Sequence, residues 1–445
     1  MHVCLLNDSF PPVIDGVANV VVNYAEVISR SRGTCIVATP EYPGAEDAYP
    51  FPVVRYRSLD TTRLVGYRAG VPFEPATLRA LQTPRPDVIH THCPVASTLL
   101  ARALRERCDA PVVFTYHTKF DIDIDNAIRG ELLQEAAVRM LVNNVAACDE
   151  VWVVSRGAGE NLRHLGYTGE YRVMDNGVDM PRGRPDEGAV QAVTGSCPLP
   201  QETPVFLFVG RLMWYKGIRL ILDGLGGLQA AGVPFRMVFI GAGGDEAEIR
   251  AAVSEAGLDQ SCLFLGAIHD REAIRAWYSR ADLLLFPSTF DTNGLVVREA
   301  AACGLPALLI RGSCAAEGVT DGETGILAEA SPESITRALQ SVCGKREVLR
   351  RIGQNAMDRL YLSWEDSVGR ACDRYAELIE AWRQVGPKPR PHVPLDELFN
   401  LMGEVYEALD KVRDKRLERQ RLSPEWPPLS ELASRMERNW QDKRR

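Results

Sequence analysis

The amino-acid sequence predicts an α/β protein made of two doubly wound halves that face one another across a cleft. Short apolar runs alternate with helix-length segments along both halves of the chain, which is the rhythm of repeated βαβ units. The rhythm pauses once, over residues 181–204, where proline, glycine and polar residues cluster as in a linker. In halves of this kind, ligands bind outside the carboxyl ends of the strands.

The predicted strands are short apolar runs without polar alternation, as expected for strands that are buried on both faces. In the first half they are HVCLL (2–6), TCIVATP (34–40), DVIHTH (87–92), PVVFTYH (111–117) and EVWVVS (150–155). In the second half they are PVFLFVG, FRMVFIGAG, CLFLGA, ADLLLFPS and LPALLI. Segments such as ASTLLARALRER and RGELLQEAAVRMLVNNVAA lie between them and have the length of helices.

Composition indicates an ordinary globular protein. With 445 residues, of which 46% are hydrophobic and 25% charged, the chain has the length of two or three domains. A net charge of −8 and a pI near 5.6 give no electrostatic reason to expect nucleic acid. The eleven cysteines form no C-x-x-C pair, which favours reduced thiols over disulfides or a zinc site. Lacking a signal peptide or a spanning apolar stretch, the chain is expected to be cytoplasmic, at most touching a membrane surface.

Two segments of the second half are candidates for binding a phosphate. VGRLMWYKG places Arg211 and Lys216 just after a strand. There the guanidinium of arginine, with its paired N–H donors, and the compact ammonium of lysine can both reach a diphosphate. FPSTFDTNGLVVREA places DTNG at a helix start, which is a ready anion site, and Glu299 follows Asp291 by eight residues. Singly, these features are more often a surface ion pair, a helix cap and a solvent-facing glutamate. Together, at strand ends, they favour a shared phosphate site.

The stretch FTYHTKFDIDIDN allows two interpretations. Asp121, Asp123 and Asp125 alternate along an extended segment, so three carboxylates on one face suit a hard cation such as Mg²⁺. The same spacing suits a solvated loop, or a loop that binds acceptor hydroxyls on the first half's side of the cleft. His117 ends the preceding strand and is a candidate for the chemistry, with a satisfied core histidine as the alternative.

A hydride-transfer function is weakly indicated. GAGGDE (241–246) follows a predicted strand, as the glycine-rich turn of a dinucleotide site does. It lacks the G-x-G-x-x-G spacing and a fitting downstream acid. This turn therefore does not predict a nicotinamide or flavin cofactor.

A set of motifs in a fixed order covers most of the chain. They are NDSFPPVIDGVANVV, HTH, FTYHTKF, DNGVD, FVGRLMWYKG, IGAGGDE and FPSTFDTNGLVVREA followed by GLP. As a set, over about residues 1 to 385, they resemble the retaining nucleotide-sugar glycosyltransferases of family 4, which have the GT-B fold. The N-terminal DxFPPxxxGVA pattern and YHT are most similar to bacterial enzymes that place a hexose on diacylglycerol or a related lipid.

The resemblance implies a division of the chain. Residues 1–190 would form a Rossmann-like domain on the acceptor side, and residues 191–365 a Rossmann-like domain that binds the nucleotide sugar. Residues 366–387 would form a helix that returns to the first domain. The charged, helical tail over 388–445 lies beyond the resemblance.

The resemblance also implies roles for single residues. Gly16 would let the backbone approach the donor diphosphate, which Arg211 and Lys216 would neutralise. Glu299 would accept hydrogen bonds from the ribose hydroxyls, and His117 would lie beside the sugar. The backbone segment that would cradle the donor sugar and phosphate is Asn293, Gly294, Leu295 and Val296.

Asp291 departs from the usual family pattern, which has glutamate at this position. The carboxylate is kept but is shorter by about 1.5 Å, the length of one carbon–carbon bond. Its contact with the 3- or 4-hydroxyl of the donor sugar must shift accordingly. Asp291 therefore leaves the identity of the donor sugar open, with UDP-glucose as the expected donor.

The implied chemistry is controlled by charge. Cleavage of the anomeric C–O bond leaves a doubly anionic nucleotide diphosphate, so fixed positive groups lower the barrier. In the family, the acceptor hydroxyl attacks from the leaving-group face and the departing phosphate takes its proton. We therefore expect retention of configuration, no side-chain nucleophile, no metal and no cofactor beyond the nucleotide sugar.

The expected acceptor is a neutral hydroxylated molecule, most simply a lipid such as diacylglycerol. A soluble sugar or a cell-surface polysaccharide is the alternative acceptor. A GT-B-like sugar-nucleotide epimerase would need a cluster of acid and base side chains beside the sugar, which is not apparent in the sequence. A non-catalytic nucleotide-sugar-binding subunit would be expected to have lost Arg211, Lys216 or Glu299, and all three are present.

The tail carries a separate signal. Its apolar residues follow an a/d rhythm with spacings of 3, 4, 3, 4 and 3, namely Leu395, Leu398, Met402, Val405, Leu409 and Val412. This pattern favours a homodimer through residues 395–412. Docking on the catalytic body is the alternative, and the arginine-rich end with Trp426 and Trp440 also suits contact with anionic lipid.

Overall fold

The computed structural model of the protein describes residues 1–13, 15–62, 68–120, 124, 130–197, 199–200 and 202–386. Across these residues, two wholly parallel sheets lie in series along the chain, each with helices between its strands. The predicted pair of doubly wound, Rossmann-like halves is therefore confirmed. The predictions for Asp121, Asp123 and Asp125, and for the tail 388–445 with its 395–412 helix, lie outside the described residues.

The first sheet has seven described strands. Their spatial order is β3 (Val53–Tyr56), β2 (Thr34–Pro40), β1 (His2–Leu6), β6 (Val88–Thr91), β7 (Val112–Tyr116), β8 (Glu150–Val153) and β9 (Arg172–Val173). A short antiparallel pair, β4 (Ser58–Leu59) and β5 (Ala69–Gly70), stands apart. The helices are α1 (Gly16–Val27) with a wider last turn (Ile28–Arg32), α2 (Pro75–Leu81), α3 (Ala96–Cys108), α4 (Glu131–Ala146) and α5 (Arg156–His164).

The second sheet has six described strands. Their spatial order is β12 (Cys262–Phe264), β11 (Arg236–Ile240), β10 (Val205–Val209), β13 (Leu283–Phe286), β14 (Ala307–Ile310) and β15 (Ile326–Ala328). The helices are α6 (Glu187–Thr194), α7 (Ile218–Ala230), α8 (Glu246–Glu255), α9 (Arg271–Arg280), α10 (Leu295–Ala302), α11 (Pro332–Val342), α12 (Arg346–Arg359) and α13 (Trp364–Val385). Two single-turn helices, Trp214–Lys216 and Cys314–Ala316, follow β10 and β14.

Burial on both faces explains why the strand sequences do not alternate. In β1, Val3 and Leu5 pack into one core while Cys4 and Leu6 pack into the other, and all four side chains are fully buried. Helices cover a parallel sheet on each side, so apolar residues are favoured at every position of a central strand. The same arrangement leaves polar side chains to the loops after the strands.

The glycines of GAGGDE have a packing role. A Cβ on Gly241 would lie 1.9 Å from the carbonyl oxygen of Gly210, and a Cβ on Gly243 would lie 2.2 Å from that of Leu212. The loops after the neighbouring strands β10 and β11 therefore approach each other more closely than a side chain allows. Close packing of two loops accounts for this glycine cluster without a dinucleotide.

The segment between the two sheets differs from its sequence-based prediction. Residues 181–204 read as a linker, yet they contain helix α6, which begins after Asp186. The Asp186 side chain accepts a hydrogen bond from the backbone N–H of Ala189 at 2.9 Å, so it caps the helix. In the sequence, the proline- and glycine-rich flanks indicated a linker and concealed a short amphipathic stretch. In the structure this stretch is helix α6, which packs against α9.

Helix α13, which follows the second domain, packs on the first. Trp364, Val368 and Tyr375 are buried in the core that also holds Val3 and Leu5 of β1. The chain thus crosses from one domain to the other twice. Among the described residues, no helix is long and apolar enough to span a membrane, and none of the eleven cysteines, which all lie within them, forms a disulfide.

Candidate active site

The loops at the carboxyl ends of the central strands touch across the boundary between the domains. Thr292, in the loop after β13, donates a hydrogen bond from its Oγ1 to the backbone oxygen of His117, after β7, at 2.5 Å. Lys119 Nζ donates to the backbone oxygen of Thr289 at 3.1 Å. The two sequence segments that were singled out in different halves therefore meet at one place.

Lys216 and Asp291 form an ion pair in this place. Lys216 Nζ lies 2.5 Å from Asp291 Oδ1, and the two side chains are 11% and 20% exposed. Ser288 Oγ donates to Asp291 Oδ2 at 2.6 Å, so both carboxylate oxygens have a partner. The strands β10 and β13, which precede these residues, are hydrogen-bonded neighbours, and their adjacency brings the pair together. An ammonium has three donors, so Lys216 keeps N–H groups for a ligand.

Arg211 stands free of carboxylates at the same strand end. Among the described residues its guanidinium has no hydrogen bond or ion pair, and it lies 5.9 Å from the ring centre of Tyr215. Tyr215 packs on Phe290 with ring centres 4.5 Å apart. Tyr215 belongs to VGRLMWYKG and Phe290 directly precedes DTNG, so their contact joins these two segments. The exposed guanidinium of Arg211 is available to an anion.

The DTNG segment bends sharply into helix α10. Gly294 has φ of 61°, and a Cβ there would lie 2.8 Å from the Cβ of Ala315. Only glycine fits both the left-handed conformation and the space. Leu295 and Val296 are the first residues of α10, so their backbone N–H groups belong to the positive end of that helix. Asn293 Nδ2 donates to the backbone oxygen of Val154 in the first domain at 2.5 Å.

Glu299 lies one turn into α10 and is held from two sides. Arg271 Nη1 donates to Glu299 Oε1 at 3.1 Å, and the Tyr278 hydroxyl donates to Oε2 at 2.9 Å. Burial raises the pKa of the Glu299 carboxyl, and the charge of Arg271 opposes that rise. Arg271 also donates to Asp179 Oδ2 at 3.1 Å, which ties the carboxylate to the segment that joins the domains.

His117 lies at the end of β7 and is 7% exposed. Its Nε2 lies 2.9 Å from Nδ1 of His92, which directly follows the neighbouring strand β6. Burial lowers the pKa of His117 to about 3, and burial and the two neighbouring histidines hold the pKa of His92 well below its usual value. The two rings are therefore both neutral, and in the hydrogen bond between them one ring nitrogen donates its N–H to the other. The side chain is buried and partnered, as expected for a core histidine, and a role for His117 in the chemistry stays a prediction.

Gly16 is the first residue of helix α1 and faces open space. A Cβ built on it would meet no atom within 4 Å. The preceding Asp15 caps the helix by accepting from the backbone N–H of Val17 at 3.2 Å, and it also accepts from Ser9 Oγ at 2.5 Å. These contacts hold the start of helix α1, and the approach of Gly16 to a donor diphosphate stays a prediction.

Several residues of this region were not singled out by sequence reasoning. They are His92, Asp179, Arg271, Tyr278, Ser288, Thr292 and Glu317. His92 and Asp179 belong to the motifs HTH and DNGVD, which could have indicated them. Ser288 and Thr292 lie in FPSTFDTNGLVVREA, which could likewise have indicated them. Arg271, Tyr278 and Glu317 lie in no motif, and only the folded chain brings them to this region. In the described part of the chain, no group of three or more His, Cys, Asp and Glu side chains could hold a metal ion.

Two protein families match the chain, one for each half. Residues 14–182 match the family described as Glycosyltransferase Family 4. Residues 195–359 match the family described as Glycosyl transferases group 1. The two matches follow the two sheets, so both halves of the cleft are covered.

Curated relatives cover most of the chain. It is 25% identical over 415 residues to a sulfoquinovosyl transferase of Arabidopsis thaliana, covering 89% of this chain and 77% of that protein. It is 29% identical over 291 residues to a GDP-mannose-dependent phosphatidylinositol dimannoside mannosyltransferase of Mycobacterium tuberculosis, covering 64% and 72%. It is 23% identical over 394 residues to an alpha-monoglucosyldiacylglycerol synthase of Acholeplasma laidlawii, covering 85% and 98%.

Solved structures share the arrangement of the two domains. A sucrose-phosphate synthase from Thermosynechococcus elongatus superposes with a TM-score of 0.68 at 21% identity, over 85% of this chain and 99% of that one. The Anabaena protein HepE, in complex with UDP, superposes with a TM-score of 0.66 at 17% identity, over 86% and 100%. At these identities the likeness shows the fold.

Proposed function

This chain belongs to the family 4 glycosyltransferases and has the GT-B fold, and on that basis we propose that it transfers a hexose with retention of configuration from a UDP-sugar to a lipid hydroxyl. The expected sugar is glucose, and the expected acceptor is diacylglycerol or a similar neutral lipid. We propose that the reaction needs no metal. The protein would then work on the cytoplasmic face of a membrane.

One observation carries the donor side of this proposal. Lys216, the unpaired Arg211 and the start of α10 border the same strand ends, and Glu299 follows one turn into that helix. Two cations and a helix start suit a diphosphate, while a buried carboxylate suits the hydroxyls of a ribose. The complex of HepE with UDP supports a uridine nucleotide as the donor carrier.

The charges of the site suit loss of a nucleotide diphosphate. As the anomeric bond breaks, negative charge grows on the diphosphate, where Arg211 and the free N–H groups of Lys216 would stabilise it. Asp291 would hold Lys216 in place through the 2.5 Å ion pair. His117 is neutral because burial lowers its pKa to about 3, so it would offer a hydrogen bond without adding positive charge beside an oxocarbenium-like sugar.

The lipid acceptor is supported by the names of relatives. An alpha-monoglucosyldiacylglycerol synthase and a phosphatidylinositol dimannoside mannosyltransferase, both similar to this chain, have a lipid in their names. These names differ in the sugar that is moved, and one of them specifies GDP-mannose. These two names support a lipid acceptor and leave the donor sugar to the transfer assay.

A transfer assay tests the proposal. The protein is incubated with labelled UDP-glucose, UDP-galactose or GDP-mannose, each with diacylglycerol vesicles, with a soluble oligosaccharide, or with no acceptor. We expect labelled lipid from UDP-glucose, and the α-anomer of the product by NMR. Labelled oligosaccharide without labelled lipid would overturn the lipid acceptor, and conversion of the donor without any acceptor would favour an epimerase or a hydrolase.

A chelator tests metal independence. Because Arg211, Lys216 and a helix start would neutralise the diphosphate, we expect turnover to be unchanged within about twofold in excess EDTA, and Asp123→Asn to alter the acceptor KM rather than the donor KM. Loss of turnover that Mn²⁺ or Mg²⁺ restores would contradict this expectation. It would favour the alternative that Asp121, Asp123 and Asp125 bind a metal.

A further inference from the structure

An open groove lies on the edge of the second sheet opposite to the candidate donor site. Its volume is about 650 Å³, within the roughly 300 to 1,000 Å³ that is usual for small-molecule sites. Asp282 and Pro306 line it and directly precede β13 and β14, so it opens at the amino ends of the strands whose carboxyl ends face the cleft. The arginines that line it are Arg184, Arg280, Arg346 and Arg350.

Three of these four arginines have no carboxylate partner among the described residues. Arg346 pairs with Asp282 at 3.2 Å. Arg184 donates to the backbone oxygen of Ser279, and Arg280 donates to that of Leu199 at 3.5 Å; both acceptors are neutral. Arg350 makes no described hydrogen bond or ion pair.

The guanidinium groups also oppose one another. Burial and then the charge of Arg350 lower the pKa of Arg184. Burial lowers the pKa of Arg280; the charge of Asp282 opposes this fall, and the smaller effect of Arg346 adds to it. Like charges held together in one groove repel, and an anion between them would relieve the repulsion. The forked geometry of guanidinium suits phosphate, which it binds by paired N–H groups.

Two exposed glutamates that line the same groove narrow the chemical class of ligand that fits it. Glu187 and Glu202 line it, and neither lies within 4 Å of an arginine nitrogen in the described structure. Carboxylates in these positions repel a simple polyanion but accept hydrogen bonds from hydroxyl groups. We propose that this groove is a second ligand site, separate from the catalytic cleft, for a soluble small molecule that carries both a phosphate and hydroxyl groups.

Calorimetric titration tests this site with two probes, pyrophosphate and ribose 5-phosphate. The test variant is Arg184→Ala/Arg350→Ala, and the control is Arg250→Ala, an exposed arginine of α8 that pairs with Glu246. We expect the wild type and the control to bind one more ribose 5-phosphate per chain than the test variant. Loss of two charge-assisted contacts should weaken that site at least about 10-fold. Unchanged melting temperatures show that the variants fold.

The result that overturns the proposal is an equal number of sites with equal affinity in all three proteins. Binding of pyrophosphate with no binding of ribose 5-phosphate would also overturn it, since the glutamates would then have no role. Vesicles of phosphatidylcholine with or without phosphatidylglycerol distinguish the source of the phosphate. Loss of vesicle binding in Arg184→Ala/Arg350→Ala, without any soluble phosphate site, would assign the groove to a lipid headgroup and reject a soluble ligand.

Discussion

Lys216 reaches the cleft as a cation whose position is fixed by Asp291, and that carboxylate is itself held by Ser288. In the proposed reaction, negative charge develops on the diphosphate as the sugar leaves, so this ammonium should act mainly on turnover. We expect Lys216→Ala to lower kcat by about 100- to 1,000-fold, the usual cost of one preorganised transition-state donor. Steady-state kinetics measures this, with the exposed Lys345→Ala as the control. A loss under fivefold would mean that Lys216 is a structural ion-pair partner.

Glu299 and Arg271 form a second pair, with a different expected effect. Glu299→Ala should raise the donor KM about 10- to 150-fold, because a charged acceptor of hydrogen bonds is lost. Arg271 does not lie in a sequence motif, yet it holds Glu299 at 3.1 Å and opposes the rise of its pKa. Arg271→Met should therefore raise the donor KM about 10-fold and leave kcat nearly unchanged.

The pH dependence separates positioning by Arg271 from a general loss of structure. Without Arg271, the pKa of Glu299 rises further, so the carboxylate becomes protonated at a higher pH. When the pH is lowered, Arg271→Met should therefore lose donor affinity at a higher pH than the wild type does. Arg271→Lys keeps the charge and should restore most of the profile, and Arg250→Met is the matched control. If Arg271→Met leaves the KM profile unchanged while Glu299→Ala weakens binding, only the positioning role is rejected.

Helix α5 joins the two domains through its amino end. Glu317 accepts hydrogen bonds from the backbone N–H groups of Arg156 at 2.7 Å and Gly157 at 2.6 Å, so a carboxylate of the second domain occupies the positive end of a first-domain helix. A Cβ on Gly157 would lie 2.5 Å from Cys314 Sγ. The close approach of the two domains at this point therefore depends on a glycine and a glutamate.

Removal of this contact should open the cleft. Glu317→Ala loses two charge-assisted hydrogen bonds, each with a net contribution of about 1.5 to 3 kcal/mol, and Gly157→Ala forces the same surfaces apart. We expect a larger radius of gyration by small-angle scattering for both variants. Glu323→Ala, whose partner Arg359 lies in the same domain, is the control. Scattering curves that match the wild type would show that other contacts hold the domains together.

The first domain as a whole carries an acid-sensitive core. Burial lowers the pKa of His90, His92 and His117 below the usual value of 6.5. The charges of neighbouring histidines lower the pKa of His90 and His92 further. The unfolded chain therefore binds more protons than the folded chain below pH 6.5. The stability that the neutral histidines contribute is fully present above that pH and is lost as pH falls, by about 1.4 kcal/mol per pH unit for each histidine.

Urea titrations of the whole chain between pH 7 and pH 5 test this dependence. We expect the free energy of unfolding to fall with a slope of about 4 kcal/mol per pH unit below pH 6, when the three histidines titrate together. His92→Asn should reduce the slope by about one third, whatever its effect on stability at pH 7. The exposed His164→Gln should not change the slope. A wild-type slope near zero would mean that the histidines are not held neutral.

The sequence by itself determined the two doubly wound domains, because burial on both faces of a parallel sheet leaves an unmistakable series of apolar runs. It also singled out Arg211, Lys216 and His117, because they lie close after strand ends, and Glu299, because it lies in the FPSTFDTNGLVVREA motif. A short helix within 181–204 was missed, because proline and glycine around it suggested a linker.

Only the tertiary structure decided which of these side chains touch. The pairing of β10 with β13 brings Lys216 to Asp291, which are 75 residues apart in the chain. The partners of Glu299 come from α9, and those of His117 from β6 and the second domain. Local sequence patterns record whether a residue is buried and where a strand ends. They do not record strand order or domain contact, which set the distances, the burial and hence the pKa values of the site.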